Sequence, residues 1–342
     1  MHQNITIMKK LYIFAALICS IFAVQTAKAE NPLTTLQHKG GTSVFYGLSS
    51  LSDALNASAN GDTLYLSTGN FNAPTSIAKG VKIIGAGYFP DSAEVAKRTT
   101  IMGGLTVSLG ADSLRLEGLY INGLIGYDAG SPINYVKVIR CFSNSVLFNS
   151  TSATAAKNNC SIEECYVYGN ILFSNYGNNL LVRNSYITGQ IKNINGNALI
   201  DGNIFINGSS TFYPLSNVNY SVVRNNIFYF GSYSIELCTN TTFNKNLFLS
   251  YSSTWTNNYT TSLSASSIFT NIGTDLFSSD YHLKTPANYP GTDGTTIGIY
   301  GGQSFKEKGL PFNPAIITKS VAPRTDSNGN LQVSFKVQAQ VN

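Results

Sequence analysis

The sequence predicts an all-β chain wound as a single-stranded, right-handed parallel β-helix, a solenoid with a short N-terminal capping helix and a hairpin-like C-terminal tail. Two observations carry this expectation. A six-residue pattern recurs seven times at a near-constant interval, and the composition is that of strands and turns. Charged residues make up only 11% of the 342 positions. Asn, Ser, Thr, Gly and Tyr supply the polarity instead, which suits turns and pleated surfaces and leaves little for solvated helices.

The repeat reads LEGLYI from Leu116, VIRCFS from Val138, IEECYV from Ile162, VRNSYI from Val182, IDGNIF from Ile200, VRNNIF from Val223 and FNKNLF from Phe243. The first positions lie 22, 24, 20, 18, 23 and 20 residues apart. A period of about 21 is one coil of a β-solenoid. A β-sandwich gives no reason for a constant period. Stacked coils lie about 4.8 Å apart, so every column of the repeat becomes a ladder. The fourth column is Leu119, Cys141, Cys165, Ser185, Asn203, Asn226 and Asn246. Its asparagines are expected to be structural, bonding to one another and to turn backbone. Cys141 and Cys165 share that column and read as packed thiols, because disulfide geometry is narrow, with a disulfide as the alternative that the sequence leaves open. The fifth column, from Tyr120 to Leu247, is large and apolar, and so is most of the sixth. The direction of the side chains after the turn is therefore open. About 240 residues at this period predict about eleven coils.

The ends differ from the body. Lys9 and Lys10 precede an apolar run from Leu11 to Val24, and Ala27-Lys28-Ala29 follows. That order is a secretory signal peptide, with cleavage expected after Ala29 and residues 1–29 removed. The segment carries three lysines and no acid, so its loss lowers the net charge from +5 to +2. The excess of base is then no nucleic-acid surface. No later run is long enough to span a bilayer. The expected location is beyond the inner membrane: periplasmic, outer surface or extracellular. A helix domain over 30–302 opens with Ser50-x-x-Asp53, a capping-box pattern, and with Leu51, Ala54 and Leu55 at helical spacing. Residues 303–342 read as a linker and tail. In the tail, Leu331, Val333, Phe335 and Val337 alternate with polar residues as in a half-buried strand, after an Asn328-Gly329 turn signal.

The stretch LSDALNASANGDTLYLSTGNF from Leu51, followed by IAKGVKIIGAG from Ile77, resembles the opening of pectin/pectate-lyase-like β-helix proteins. DYHLKTPANYPGTDGTTIGIYGG from Asp280 resembles the end of secreted bacterial β-helix repeat proteins. The resemblance covers roughly residues 48 to 302. It implies the fold. It implies no one activity, because this superfold hosts lyases, hydrolases, esterases and adhesive proteins.

The chemistry of those enzymes is not legible here. Lyases of the fold use calcium held by several carboxylates, and a Lys or Arg base. Glu163 and Glu164 are the only adjacent acidic pair in the coils. The paired aspartates and Gly-His-Gly segment of the hydrolases are missing. No nucleophile-elbow, phosphate-loop or zinc motif occurs. No metal or cofactor is expected. Glu117, Glu163, Arg183, Asp201 and Arg224 follow their anchors directly, with Arg140, Glu164 and Lys245 one position on. Alternating signs on successive coils read as an ion-pair ladder rather than as catalytic groups. Trp255, Tyr251, Tyr259 and Tyr213 lie in excursions from the repeat, among Ser, Thr and Asn. Such aromatics suit stacking on the rings of a neutral polysaccharide or cell-surface glycan. The functional expectation is a secreted, non-catalytic β-helix that binds glycan or mediates surface contact. The alternatives are a polysaccharide lyase or glycoside hydrolase with an unrecognised site, and a structural envelope component.

Overall fold

A computed structural model describes residues 31–90, 98–207, 213–230, 235–249, 255–273, 275–302 and 315–338. The segment read as a signal peptide lies outside them. The chain is a parallel β-solenoid of about eight turns. Each full coil contributes one strand to each of three sheets. In one coil these are Ser161–Glu163, Tyr166–Val167 and Ile171–Phe173. The first sheet stacks nine such strands, from Thr63–Leu66 to Thr242–Asn244. Two antiparallel strands, Leu33–His38 and Gly41–Tyr46, extend its N-terminal edge.

Eleven coils were expected and about eight are present, because the described residues of 263–302 do not wind and because early coils are longer than the period, as from Lys82 to Arg115. They run back along the outside of the second sheet, carrying Phe269, Leu276, Tyr281, Leu283, Ile297 and Ile299 onto it. This strap explains why two successive columns are apolar. The sixth column, with Ile121, Val167, Ile187, Phe205, Phe228 and Phe248, faces the solenoid interior. The fifth column, with Phe142, Tyr166, Tyr186, Ile204, Ile227 and Leu247, faces outward and is buried by the strap. Strands covered on both faces read as continuous apolar runs.

The inter-coil spacing stacks the interior rings. Phe205 and Phe228 lie 4.8 Å apart, and Phe228 and Phe248 lie 5.0 Å apart, nearly parallel in both pairs. Phe148 and Phe173 stack likewise at 4.6 Å.

The turn from first to second sheet is built on one left-handed residue per coil. Gly118, Arg140, Glu164, Asn184, Gly202, Asn225 and Lys245 all have φ between 46° and 67°. Non-glycine residues adopt this region at a cost. Here each N–H donates to the next coil, as from Arg140 to the Glu163 carbonyl and from Glu164 to the Arg183 carbonyl.

Helix α1 (Ser50–Ala57) closes the N-terminal end with Leu51, Ala54 and Leu55 buried against Leu36 and Leu64. The expected capping box is not formed. Ser49 is the N-cap, without a side-chain bond, and the Ser50 hydroxyl instead meets the Thr34 hydroxyl at 3.1 Å. The other end of α1 is held by Lys79, whose ammonium donates to the Leu55, Asn56 and Ser58 carbonyls at 2.7, 3.1 and 2.6 Å. It supplies the partners that a helix C-terminus lacks. In the tail, Ala315–Val321 and Val333–Gln338 form an antiparallel hairpin. Its alternating face is not half-buried: Leu331, Val333, Phe335 and Val337 are 48–63% exposed.

Candidate binding face

The fourth column forms a continuous hydrogen-bonded stack inside the turn. Asn226 Oδ1 accepts from the backbone N and the Nδ2 of Asn203, both at 2.9 Å. Asn226 Nδ2 donates to the Ile200 and Arg224 carbonyls and to Asn246 Oδ1. Asn246 repeats the motif with Asn258, which ends the stack. Asn203, Asn226 and Asn246 are all fully buried. A second stack, which sequence reading did not pick out, lines the turn into the first sheet. There Asn178 N donates to Asn158 Oδ1, Asn158 to Asn134 Oδ1, and Asn134 N to Asp112 Oδ1.

Cys141 and Cys165 carry free thiols in the interior, with the Cys141 N–H directed at the Cys165 sulfur at 3.5 Å. Burial pushes the thiols of Cys141 and Cys160 up to about 12. Two results follow. Iodoacetamide at pH 8 should leave both unmodified in the native protein and label them on unfolding, since only the thiolate reacts. Each folded pKa lies above the ordinary value of 9.0, so the stability these thiols confer is complete below pH 9 and is lost as pH rises towards 12. Urea midpoints should be level across neutral pH and fall above about 9. Rapid native labelling of Cys141 would contradict this.

The expected aromatic residues separate into different environments. Trp255 stacks on Phe243 at 4.4 Å and lies 5.9 Å from Phe248, closing the far end of the interior. Tyr259 belongs to the outer core. Its ring meets Tyr289 edge-on at 5.5 Å, and its hydroxyl accepts from Lys245 at 3.1 Å and donates to the Pro290 carbonyl at 2.8 Å. Tyr213 is half-buried just before the third-sheet strand Leu215–Val218. Tyr251 lies outside the described residues. Trp255 and Tyr259 thus serve two separate cores and do not form a common surface.

With the second sheet covered, the outer face of the first remains open. Two side-chain rows run along it in strict register. One row is Lys82, Arg115, Lys137, Ser161, Leu181, Leu199 and Val222. The other contains Glu117, Ile139, Glu163, Arg183, Asp201 and Arg224. In this second row ion pairs join coils. Arg183 Nε donates to Glu163 Oε2 at 2.8 Å, and Arg224 Nε and Nη2 to Asp201 Oδ2 at 3.0 and 2.8 Å. Ser161 and Asn225 fill the other carboxylate oxygens of Glu163 and Asp201. Arg115 and the fully buried Arg140 both bind Glu117.

Beside these rows lies a shallow open groove of about 620 Å³. Leu181, Leu199 and Val222 form part of its floor, and Asn159, Asn179, Asn197 and Tyr220 stand along it, with Lys137 in its lining. Tyr220 is 57% exposed. Sequence reading missed these residues. Their signal is the position before each anchor, which turns apolar at Leu181 although that row points outward. Among the described residues, no three His, Cys, Asp or Glu side chains converge as metal ligands. No helix among them is long and apolar enough to cross a membrane. No family model, curated protein or solved structure matches the chain.

Proposed function

We propose that this is an exported, non-catalytic β-helix that holds a glycan along the outer face of its first sheet. The observation that carries the reading is the aligned row Leu181, Leu199 and Val222, one coil apart, flanked by exposed Tyr220 and by the amides of Asn159, Asn179 and Asn197. Sugar rings present apolar C–H faces and a rim of hydroxyls. An aliphatic and aromatic floor with amides at its edge answers both. The coil spacing of about 4.8 Å offers equivalent contacts at regular steps along a polymer. A binding role also fits the carboxylates of the face. Glu163 and Asp201 are engaged by Arg183 and Arg224, an arrangement suited to fixing coils rather than to shuttling protons. Export rests on the basic-apolar-small order of residues 9–29.

A glycan array followed by titration of the best soluble oligosaccharide tests the reading. Tyr220→Ala and Leu199→Glu should each weaken binding by about tenfold, roughly 1.4 kcal/mol, with the fold intact. Unchanged affinity in both variants would remove the groove as the site. New reducing ends or unsaturated products from the bound polymer would overturn the non-catalytic reading.

A further inference from the structure

We propose that Lys82, Arg115 and Lys137 form a subsite for a phosphate monoester carried by the glycan, so that the bound polymer is not neutral throughout. The inference rests on the glycan reading, since Lys137 lines the same groove as Leu199 and Tyr220. The three cations occupy one row on consecutive coils, with Arg115 directly opposite both Lys82 and Lys137. Adjacent steps are about 4.8 Å. Like charges placed directly opposite each other across strands are destabilising.

The arginine is not the source of the excess. Arg115 and Arg140 share Glu117, and Arg140 lies 3.8 Å from Glu164, so among the described residues these two cations face two anions. The excess is the two lysines. Among the described residues neither has a carboxylate within ion-pair distance, and both are exposed. Lysines that serve this fold look different. Lys79 caps a helix through three carbonyls, and buried Lys157 donates to the carbonyls of Asp128, Ser131 and Ala155 at 2.8, 2.7 and 2.7 Å. Lys82 and Lys137 flank Arg115 from two coils apart, about 10 Å, and long side chains let both ammonium groups lean to one point. A phosphate monoester brings a charge of about −1.5 to −2 at pH 7 and three acceptor oxygens, which answers both lysines at once. A carboxylate or sulfate ester brings a single charge.

Four polymers of equal chain length separate the outcomes: dextran, dextran phosphate, dextran sulfate and polygalacturonate, titrated into the full chain and into a Lys82→Gln/Lys137→Gln variant. Dextran phosphate should bind tightest. Its affinity should fall as pH drops from about 7 to 5, through the second phosphate pKa near 6, while that of dextran sulfate stays level. The double variant should lose about tenfold more affinity towards dextran phosphate than towards dextran. Dextran phosphate binding equally well to the variant, or no better than dextran sulfate or polygalacturonate, would overturn the subsite. Lysine-dependent binding of dextran phosphate that Tyr220→Ala does not weaken would keep the subsite and discard the groove.

Discussion

Phe269→Ala should destabilise the protein by about 3–5 kcal/mol, the usual cost of emptying a buried aromatic site. Phe269 has no exposed surface and sits in the strap, with its ring edge-on to Tyr281 at 5.3 Å. Tyr281 in turn lies 5.1 Å from the Tyr186 ring, with the two hydroxyls 3.1 Å apart. The cavity therefore opens at the seam between the strap and the fifth column. The urea midpoint should fall sharply, and a hydrophobic dye should bind below the transition as Phe142, Tyr166 and Tyr186 become reachable. A loss below about 1 kcal/mol would mean that the strap is not needed to bury the second sheet.

Asn226→Leu should have a comparable effect by a different route. The side chain is nearly isosteric, so no large cavity forms. The substitution strands the Asn203 N–H and the Ile200 carbonyl, both of which bond the Asn226 amide. Each buried group left without a partner costs about 1–3 kcal/mol. Asn226→Asp should also destabilise, because it removes the Nδ2 donor while keeping the Oδ1 acceptor for Asn203. Thermal unfolding of both variants measures this. An unchanged melting temperature for Asn226→Leu would show the amide stack to be dispensable.

Much of this architecture was legible because a solenoid writes its geometry into a period. Val138, Ile162 and Val182 repeat since each must enter the same interior, and Asn203, Asn226 and Asn246 repeat since each closes the same turn. What was not legible depends on side-chain direction. Ile204 and Phe205 are both apolar, yet one faces the strap and the other the interior. Neighbouring apolar residues cannot show which is which until a cover is known to exist. The coil count erred partly for the same reason, because the described residues of 263–302 have strand-like composition but pack across the coils instead of joining them. Ser50-x-x-Asp53 has capping-box spacing, but the helix starts one residue away from the register the box needs. Trp255 stood out as the only tryptophan in a polar stretch, and its ring closes the end of the interior. The groove was hidden because Leu181, Leu199 and Val222 look like interior residues until the pleat turns them outward.

The strap changes what kind of object the solenoid is. A stack of coils in which each touches only its neighbours behaves as a one-dimensional chain, free to fray from either end. Here the Asn184 amide donates to the carbonyls of Ile299 and Gly301, while Asn225 bonds Thr292 and accepts the Gly298 N–H. Farther along, Phe277 reaches Phe142 and Tyr166. One continuous segment is thus riveted to coils several steps apart. Loosening any one of them disturbs contacts made by the rest, so the ladder loses its freedom to unzip rung by rung and acquires the all-or-none character of a globular domain.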